Sequence, residues 1–383
     1  MNKYLLLISM FGVCANAHSG LVLGDKNTET GEFSLNGSMR LNYQDKHFKQ
    51  PAADQKLQFT MAQLLFSYDN PNYFANADVR CYQNDKLCDL TVLTYAYAGY
   101  KINKTDTLTL GLQPIPFGPA RFWESSFYGS INNTMGLQDI HNLGIKYHLE
   151  TEKGSKLDLA FFPRDGGNYH GLSKDSARYS ANFVEHPYED MSSLEEKNMW
   201  MAKISHEFNL DTVKITAGAS YWYSELENKT TDQDGHREAW NVFTQLNYKQ
   251  FGTNLTIGQQ HIDNKDPRSP DTSIIGSFDF EYGLANKGTY YTGELNYTMK
   301  AWDQQMTVMP FLMYSGFLKD EKQYKNSQRN IAGVMLGYKN MYLYNEFLMS
   351  KNDPFIGGSA DALASGDHSQ WNKMLNFTFI YTF

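Results

Sequence analysis

Two pairs of adjacent histidine and glutamate residues could belong to a zinc hydrolase. His206 precedes Glu207, and Glu185 precedes His186. A zinc-protease helix needs a second histidine four residues from the first, because two imidazoles on one face hold the metal while the glutamate activates water. Neither pair has that second histidine. We therefore do not expect metal-dependent catalysis.

Two acidic segments partly resemble calcium-binding loops. Asp232-Gln-Asp-Gly235 and Asp263-Asn-Lys-Asp266 contain alternating carboxylates, but neither continues to the acidic residue that closes such a loop. No G-x-S-x-G sequence marks an activated serine. We interpret these charges as solvated loop side chains. The sequence predicts no enzyme, no cofactor and no bound metal ion.

The final residues of the chain indicate which kind of secondary structure must position any functional side chain. One parity of that segment is apolar and the other polar: Trp371, Leu375, Phe377, Phe379, Tyr381 and Phe383 against Asn372, Asn376, Thr378 and Thr382. A period of two predicts a β-strand with one apolar face. Because the segment ends on an aromatic residue with no polar tail, we expect lipid to cover that face. We interpret it as the closing strand of a β-barrel.

The start of the chain predicts export. Lys3 precedes an apolar stretch from Tyr4 to Cys14, and Ala15-Asn-Ala17 fits a signal-peptidase cleavage pattern. The alternative, a membrane anchor, is disfavoured because the stretch is shorter than the roughly 20 residues that span a bilayer. We expect residues 1–17 to be a signal peptide and residues 18–383 to form one outer-membrane β-barrel domain.

Composition agrees with a barrel. The mean hydropathy is -0.54, yet barrels escape hydropathy tests because half of each strand faces a polar lumen. An aromatic content of 15% suits strands with interfacial aromatic belts. The net charge of -8 argues against a nucleic-acid partner.

Cys81 and Cys88 flank a short predicted hairpin loop. In an oxidising compartment two such cysteines favour a disulfide over a metal site. The gain in stability is expected to be small, because the ring that the disulfide closes is short.

Alternating segments recur along the chain and predict an all-β, transmembrane, antiparallel β-barrel of about sixteen strands. Short turns such as Asp69-Asn-Pro-Asn72 alternate with longer loops, and we expect the turns on the periplasmic side and the loops outside. The charged segment from Glu225 to Glu238 is predicted to be one of these outer loops. Arg40, Asp78 and Arg80 fall on polar faces of their strands, so we expect them to line the lumen.

Two segments near the third long connection carry a family resemblance. Leu112-Gln-Pro-Ile-Pro-Phe-Gly118 and Gly136-Leu-Gln-Asp-Ile-His-Asn-Leu-Gly-Ile-Lys-Tyr147 resemble the phosphate-selective porin O/P-like group of bacterial outer-membrane porins. The resemblance implies that the third loop folds into the lumen and narrows it, and that the protein is a homotrimer. Arg121, Glu124 and Asp139 would then be the charged residues of the constriction. The alternative is a surface loop with solvated charges.

The function that this resemblance and the strand pattern imply is passive diffusion of small hydrophilic solutes or ions through a water-filled channel. A substrate-specific channel for an anion such as phosphate, a sugar or an organic acid is the alternative, and an outer-membrane enzyme or an adhesin barrel fits less well. Phosphate-selective pores need many basic side chains, whereas this chain is acidic. Expected partners are the lipid bilayer and lipopolysaccharide of a bacterial outer membrane.

Overall fold

The structure is a computed structural model. It describes residues 20–48, 55–83, 86–119, 124–166, 178–185, 191–278, 280–367 and 370–383. The predicted signal peptide and Arg121 lie outside these ranges. Within the described ranges, no helix is long and apolar enough to cross a membrane.

Strands account for nearly all of the regular structure, and the one helix is short. In chain order they are β1 Leu21–Asp25, β2 Gly31–Lys46, β3 Gln55–Asp69, β4 Tyr73–Tyr82, β5 Leu90–Lys101, β6 Asp106–Pro114, α1 Ile131–Thr134, β7 His141–Glu150, β8 Ser155–Arg164, β9 Arg178–Phe183, β10 Leu194–Leu210, β11 Val213–Asn228, β12 Gln233–Tyr248, β13 Phe251–Asp263, β14 Thr272–Phe278, β15 Phe280–Ala285, β16 Lys287–Tyr297, β17 Met299–Ala301, β18 Met306–Lys319, β19 Ser327–Tyr338, β20 Met341–Lys351 and β21 Asn372–Thr382.

Sixteen of these strands form one closed antiparallel barrel. Strand β2 pairs with β3 on one edge and with β21 on the other, so the two ends of the chain meet at the seam. At that seam Phe383 N donates to Gly37 O at 3.0 Å. Closure leaves no open edge among the sixteen described wall strands, which is the condition for strands to cross hydrocarbon. The predicted fold class is confirmed.

The closing strand has the two faces that its sequence predicts. Phe377 and Tyr381 lie on the outside of the barrel, whereas Asn376 and Thr378 are buried inside it. The same division holds on other strands, where Leu110 of β6 and Leu312 of β18 are 66% and 61% exposed on the outer surface. An apolar band of this kind is stable only when lipid covers it.

The connections between strands differ at the two ends of the barrel. The turn side has only short connections: 70–72, 102–105, 151–154, 211–212, 249–250, 302–305 and 339–340. The loop side carries the remaining connections of the sixteen wall strands, including the long connections 115–140, 165–193, 264–286 and 352–371. This asymmetry agrees with the predicted periplasmic turns and outer loops.

The prediction of a loop from Glu225 to Glu238 is wrong. Strands β11 and β12 continue through it and remain paired as far as Asn228 and Gln233. The alternation persists there, but its outward positions are charged rather than apolar; Glu227, for example, forms an ion pair with Lys197 at 2.8 Å. Charged outward side chains suit strands that extend beyond the hydrocarbon into water.

Two loop-side connections contain a second, three-stranded sheet. Strand β9 pairs with β14, which pairs with β15. Apolar residues of this sheet, of the 115–140 connection and of the barrel wall form one core: among them are Phe183, Leu284, Met135, Ile140, Trp222 and Leu226. The wall members lie in the loop-side halves of their strands. Part of the interior at that end is therefore filled by apolar packing, which the sequence analysis did not predict.

Candidate constriction of the lumen

The connection between β6 and β7, residues 115–140, is named here the third loop, and it crosses the barrel interior. Two carboxylates on strands across the lumen hold its tip. Ser125 N donates to Glu294 of β16 at 2.7 Å, and the Ser125 hydroxyl donates to the same carboxylate. Ser126 Oγ and Phe127 N donate to Glu346 of β20 at 2.7 and 2.9 Å. The predicted inward course of the third loop is confirmed.

Arg329 of β19 fixes the next part of the third loop. Its Nη1 donates to the carbonyl oxygens of Gly129 and Ser130 at 3.2 and 3.0 Å, and its Nη2 donates to Thr134 Oγ1 at 2.9 Å. The buried carboxylate of Asp353 accepts from Nε and Nη2 at 2.7 and 2.9 Å. A guanidinium paired in this way is satisfied although it is buried, because every donor direction has an oxygen.

Glu124 lies in the third loop and bonds within it. Its Oε2 accepts from Ser130 N at 2.6 Å. The pKa of this carboxyl is raised to about 7, mainly by burial and in part by the nearby Glu294 carboxylate, while the hydrogen bonds from Ser130 and the Arg329 charge oppose the rise. In this position the side chain supports the fold of the loop. Its predicted role as a constriction charge stays a prediction.

Asp78, Arg80 and Asp139 are joined on the opposite side of the lumen. Arg80 Nη2 donates to Asp78 Oδ2 at 2.6 Å, and Gln63 also donates to this carboxylate. Arg80 Nη1 donates to the Tyr179 hydroxyl at 2.9 Å, and that hydroxyl donates to Asp139. Tyr179 belongs to β9, so this network links the barrel wall, the inner sheet and the end of the third loop. Arg80 is neutralised locally by Asp78.

Arg40 occupies the space between this wall and the tip of the third loop. Its guanidinium carbon lies 4.4 Å from the ring centroid of Phe127, within the range of a cation–π contact. Among the described residues, no carboxylate lies within ion-pair distance of Arg40. Its Nε is buried without a hydrogen-bond partner in that part of the chain. Arg40 is thus the positive charge of this wall that the described residues leave without a counter-ion.

Two lysines that the sequence analysis missed bind the backbone where β6 passes into the third loop. Lys146 Nζ of β7 donates to Pro114 O at 3.2 Å, and Lys203 Nζ of β10 donates to Pro119 O at 3.4 Å. Lys203 also lies 3.9 Å from Asp158. Glu294, Arg329 and Glu346 were missed as well. All of them occupy inward positions between outward residues, so the parity used for Arg40 also identifies them.

Cys81 and Cys88 form a disulfide between the end of β4 and the connection to β5. The bond closes the hairpin on the loop side, away from the third loop contacts described above.

Comparison with known proteins identifies the fold. No family model matches the sequence, and no curated protein matches it. Solved structures do match: the outer membrane channel DcaP of Acinetobacter baumannii has a TM-score of 0.60 at 11% identity, covering 94% of this chain and 100% of that one.

Two other structures extend this likeness. OmpF of Salmonella typhi, solved in complex with daunomycin, has a TM-score of 0.63 at 12% identity and covers 95% of this chain and 100% of its own. An anion-selective porin from Comamonas acidovorans has a TM-score of 0.56 at 11% identity, covering 92% and 100%. At such low identity these likenesses establish a shared barrel fold.

Proposed function

We propose that this protein is an outer-membrane porin that conducts small hydrophilic solutes and ions by passive diffusion. One observation carries the proposal: a closed sixteen-stranded barrel with an apolar exterior encloses an inner wall rich in charged side chains, and the third loop is tied across its interior. A barrel of this strand number is wide enough for an aqueous channel.

In this proposal solutes pass along the wall formed by β2 and β4, beside the contact between Arg40 and Phe127 at the tip of the third loop. Arg40 and Arg80 flank that passage, with Asp78 beside Arg80. The third loop limits the size of the solutes that pass. It cannot move away from the passage freely, because Glu294, Glu346 and Arg329 hold it. The charged side chains that a partly dehydrated solute meets in the passage select it by its charge.

A substrate-specific channel is the second candidate. The inner sheet and its apolar core narrow the loop side of the lumen, which favours a restricted set of solutes. Arg40, which has no carboxylate within ion-pair distance among the described residues, favours an anion such as an organic acid or phosphate. The two segments that resemble the phosphate-selective porin group support kinship with it; the net charge of -8 disfavours phosphate as the dedicated solute.

The remaining parts of the proposal concern assembly. Residues 1–17 direct export and are removed, and residues 18–383 insert into a bacterial outer membrane in contact with lipopolysaccharide. The assembly is a homotrimer. The proposal includes no enzymatic activity, because most charged groups of the described interior bind the third loop or one another.

Planar-bilayer recording of the purified protein tests the proposal. We expect stepwise, ohmic conductance that scales with salt concentration, and a reversal potential in a salt gradient that gives the ion preference. Protein that is folded by its heat-modifiable gel mobility but yields no steps would overturn the porin assignment. Block of the current by one class of anion at low concentration would favour the substrate-specific channel instead.

A further inference from the structure

Three side chains on the outer surface of the barrel are close enough to share a metal ion. His236, Glu238 and His261 each offer one ligand atom, and these atoms lie within 4.8 Å of one another. Among the residues that the structure describes, no other group of three histidine, cysteine or carboxylate side chains meets this criterion.

The strand register brings the three residues together. His236 and Glu238 are two positions apart on β12, so both side chains point to the same face. Glu238 lies directly opposite His261 of β13. Arg237, between the two β12 residues, is 3% exposed and faces the interior. The three ligands therefore face outward, and paired strands hold their backbones fixed.

The group lies at the loop-side border of the apolar band. Trp240 and Val242 are the next outward residues of β12 toward the turn side, and both are exposed apolar side chains. On the loop side of the group, Asp263 lies 4.0 Å from His236 Nδ1 and 2.7 Å from Lys265 Nζ. This height is polar and accessible from water, so an ion can reach the side chains without crossing the barrel.

Aromatic contacts orient the two imidazole rings but do not use their ring nitrogens. The His236 ring stacks on Tyr223 with centroids 6.1 Å apart, and the His261 ring meets His236 edge-on at 5.5 Å. The three side chains are half-buried. Such side chains retain enough freedom to change rotamer when a ligand binds.

We propose that His236, Glu238 and His261 form a surface site for a divalent transition-metal ion, with Zn²⁺ as the best fit. Two imidazoles and one carboxylate are a known three-ligand set for zinc, and they leave a fourth position for water. At Zn–N bonds of about 2.0–2.1 Å, tetrahedral ligand atoms are about 3.3 Å apart. The present separation closes to that value by rotation of the side chains.

The composition of the site sets its selectivity. Imidazole nitrogens favour zinc, copper and nickel, whereas calcium and magnesium prefer oxygen ligands in larger numbers. A bound ion would join β12 to β13 outside the hydrocarbon and so stabilise the folded barrel by mass action. This proposal is independent of conduction, and it revises the sequence-based expectation of no metal. The sequence hid the site because His261 comes from a different strand.

Metal titration of the untagged protein in detergent micelles tests the site. At pH 7.5 we expect one Zn²⁺ per chain by isothermal titration calorimetry, and visible d–d absorption of bound Co²⁺ typical of a tetrahedral site. The variants His236→Asn and His261→Gln each remove one ligand. Each should weaken binding by at least the roughly 10- to 100-fold that changes in a metal's outer shell cost.

Two controls keep the test sharp. His148→Asn and His206→Gln change histidines on other strands and should leave zinc affinity unchanged, and heat-modifiable gel mobility confirms that each variant is folded. The proposal is overturned if wild type binds no zinc, if the two ligand variants bind it as tightly as wild type, or if equimolar Ca²⁺ displaces the zinc.

Discussion

A positive charge without a counter-ion attracts anions into the passage it faces, and the described residues place no carboxylate within ion-pair distance of Arg40 beside the third loop. Arg40→Ala should shift permeability toward cations. One unit charge at about 4 Å in water is worth about 1 kcal/mol, or roughly a five-fold change in local anion occupancy. The reversal potential in a KCl gradient measures the shift.

Arg40→Lys is the matched variant that keeps the charge, and Lys153→Ala removes an exposed charge from a turn. Both should retain the wild-type reversal potential, Arg40→Lys because it keeps the charge and Lys153→Ala because exposed charges are screened beyond about 10 Å at 0.1 M salt. An unchanged potential in Arg40→Ala would show that ions do not pass this side chain.

Glu124 gives the third loop a pH dependence near neutrality. Its pKa in the folded protein is raised to about 7 from an ordinary value of 4.5. The neutral form is therefore the favoured one, so its stabilising effect is complete below the ordinary pKa and is lost as pH rises toward 7. Glu124→Gln, which mimics the neutral carboxyl, should remove this dependence.

The measurement is the thermal unfolding midpoint between pH 4.5 and 8. Wild type should lose stability relative to Glu124→Gln as pH rises across that window, whereas the exposed Glu152→Gln should follow wild type. Parallel curves for wild type and Glu124→Gln would mean that the Glu124 carboxyl titrates outside this range.

At the scale of elements, the third loop keeps its place through carboxylates of the opposite wall. Glu346→Ala removes the acceptor for Ser126 Oγ and Phe127 N. Hydrogen bonds to a charged group contribute about 1.5–3 kcal/mol each, so the tip should detach in part. We expect larger and noisier single-channel currents.

Glu321→Ala is the control, since Glu321 lies in a loop-side connection away from the tip. Its current should match wild type. Identical conductance and noise in Glu346→Ala would mean that the remaining anchors at Glu294 and Arg329 hold the loop without help.

The barrel strands were predictable from the sequence because each must face lipid on one side, which imposes a period of two. The same parity predicted that Arg40 and Asp78 face inward. The contact between Arg80 and Tyr179 was not predictable. Tyr179 comes from β9, a short strand that packs inside the barrel and carries no lipid-facing pattern. The prediction of a loop at Glu225–Glu238 was wrong because these strands carry charged residues on their outward face instead of the apolar residues that face lipid.

At the scale of the whole molecule, the apolar exterior is the defining property, and it can be tested with one charge on each face. Leu110→Lys places an ammonium in the outward band of β6 and should cost about 2–4 kcal/mol near the bilayer midplane. Gln44→Lys places the same group on the inward face of β2, where water and polar side chains accept it.

The yield of folded protein in vesicles, read as heat-modifiable gel mobility after urea titration, measures both changes. The unfolding midpoint should fall for Leu110→Lys and stay near wild type for Gln44→Lys. Equal losses in the two variants would contradict an exterior that is solvated by hydrocarbon.

The pairing of β2 with β21 determines when the barrel can close. Strand β2 finds its second partner in β21, which lies far later in the chain, so the described barrel wall cannot close before β21 has been made. We therefore expect insertion to follow the synthesis of β21, with the unfolded polypeptide kept from aggregating until then. We expect a chain truncated before β21 to leave β2 without its second partner in the described barrel.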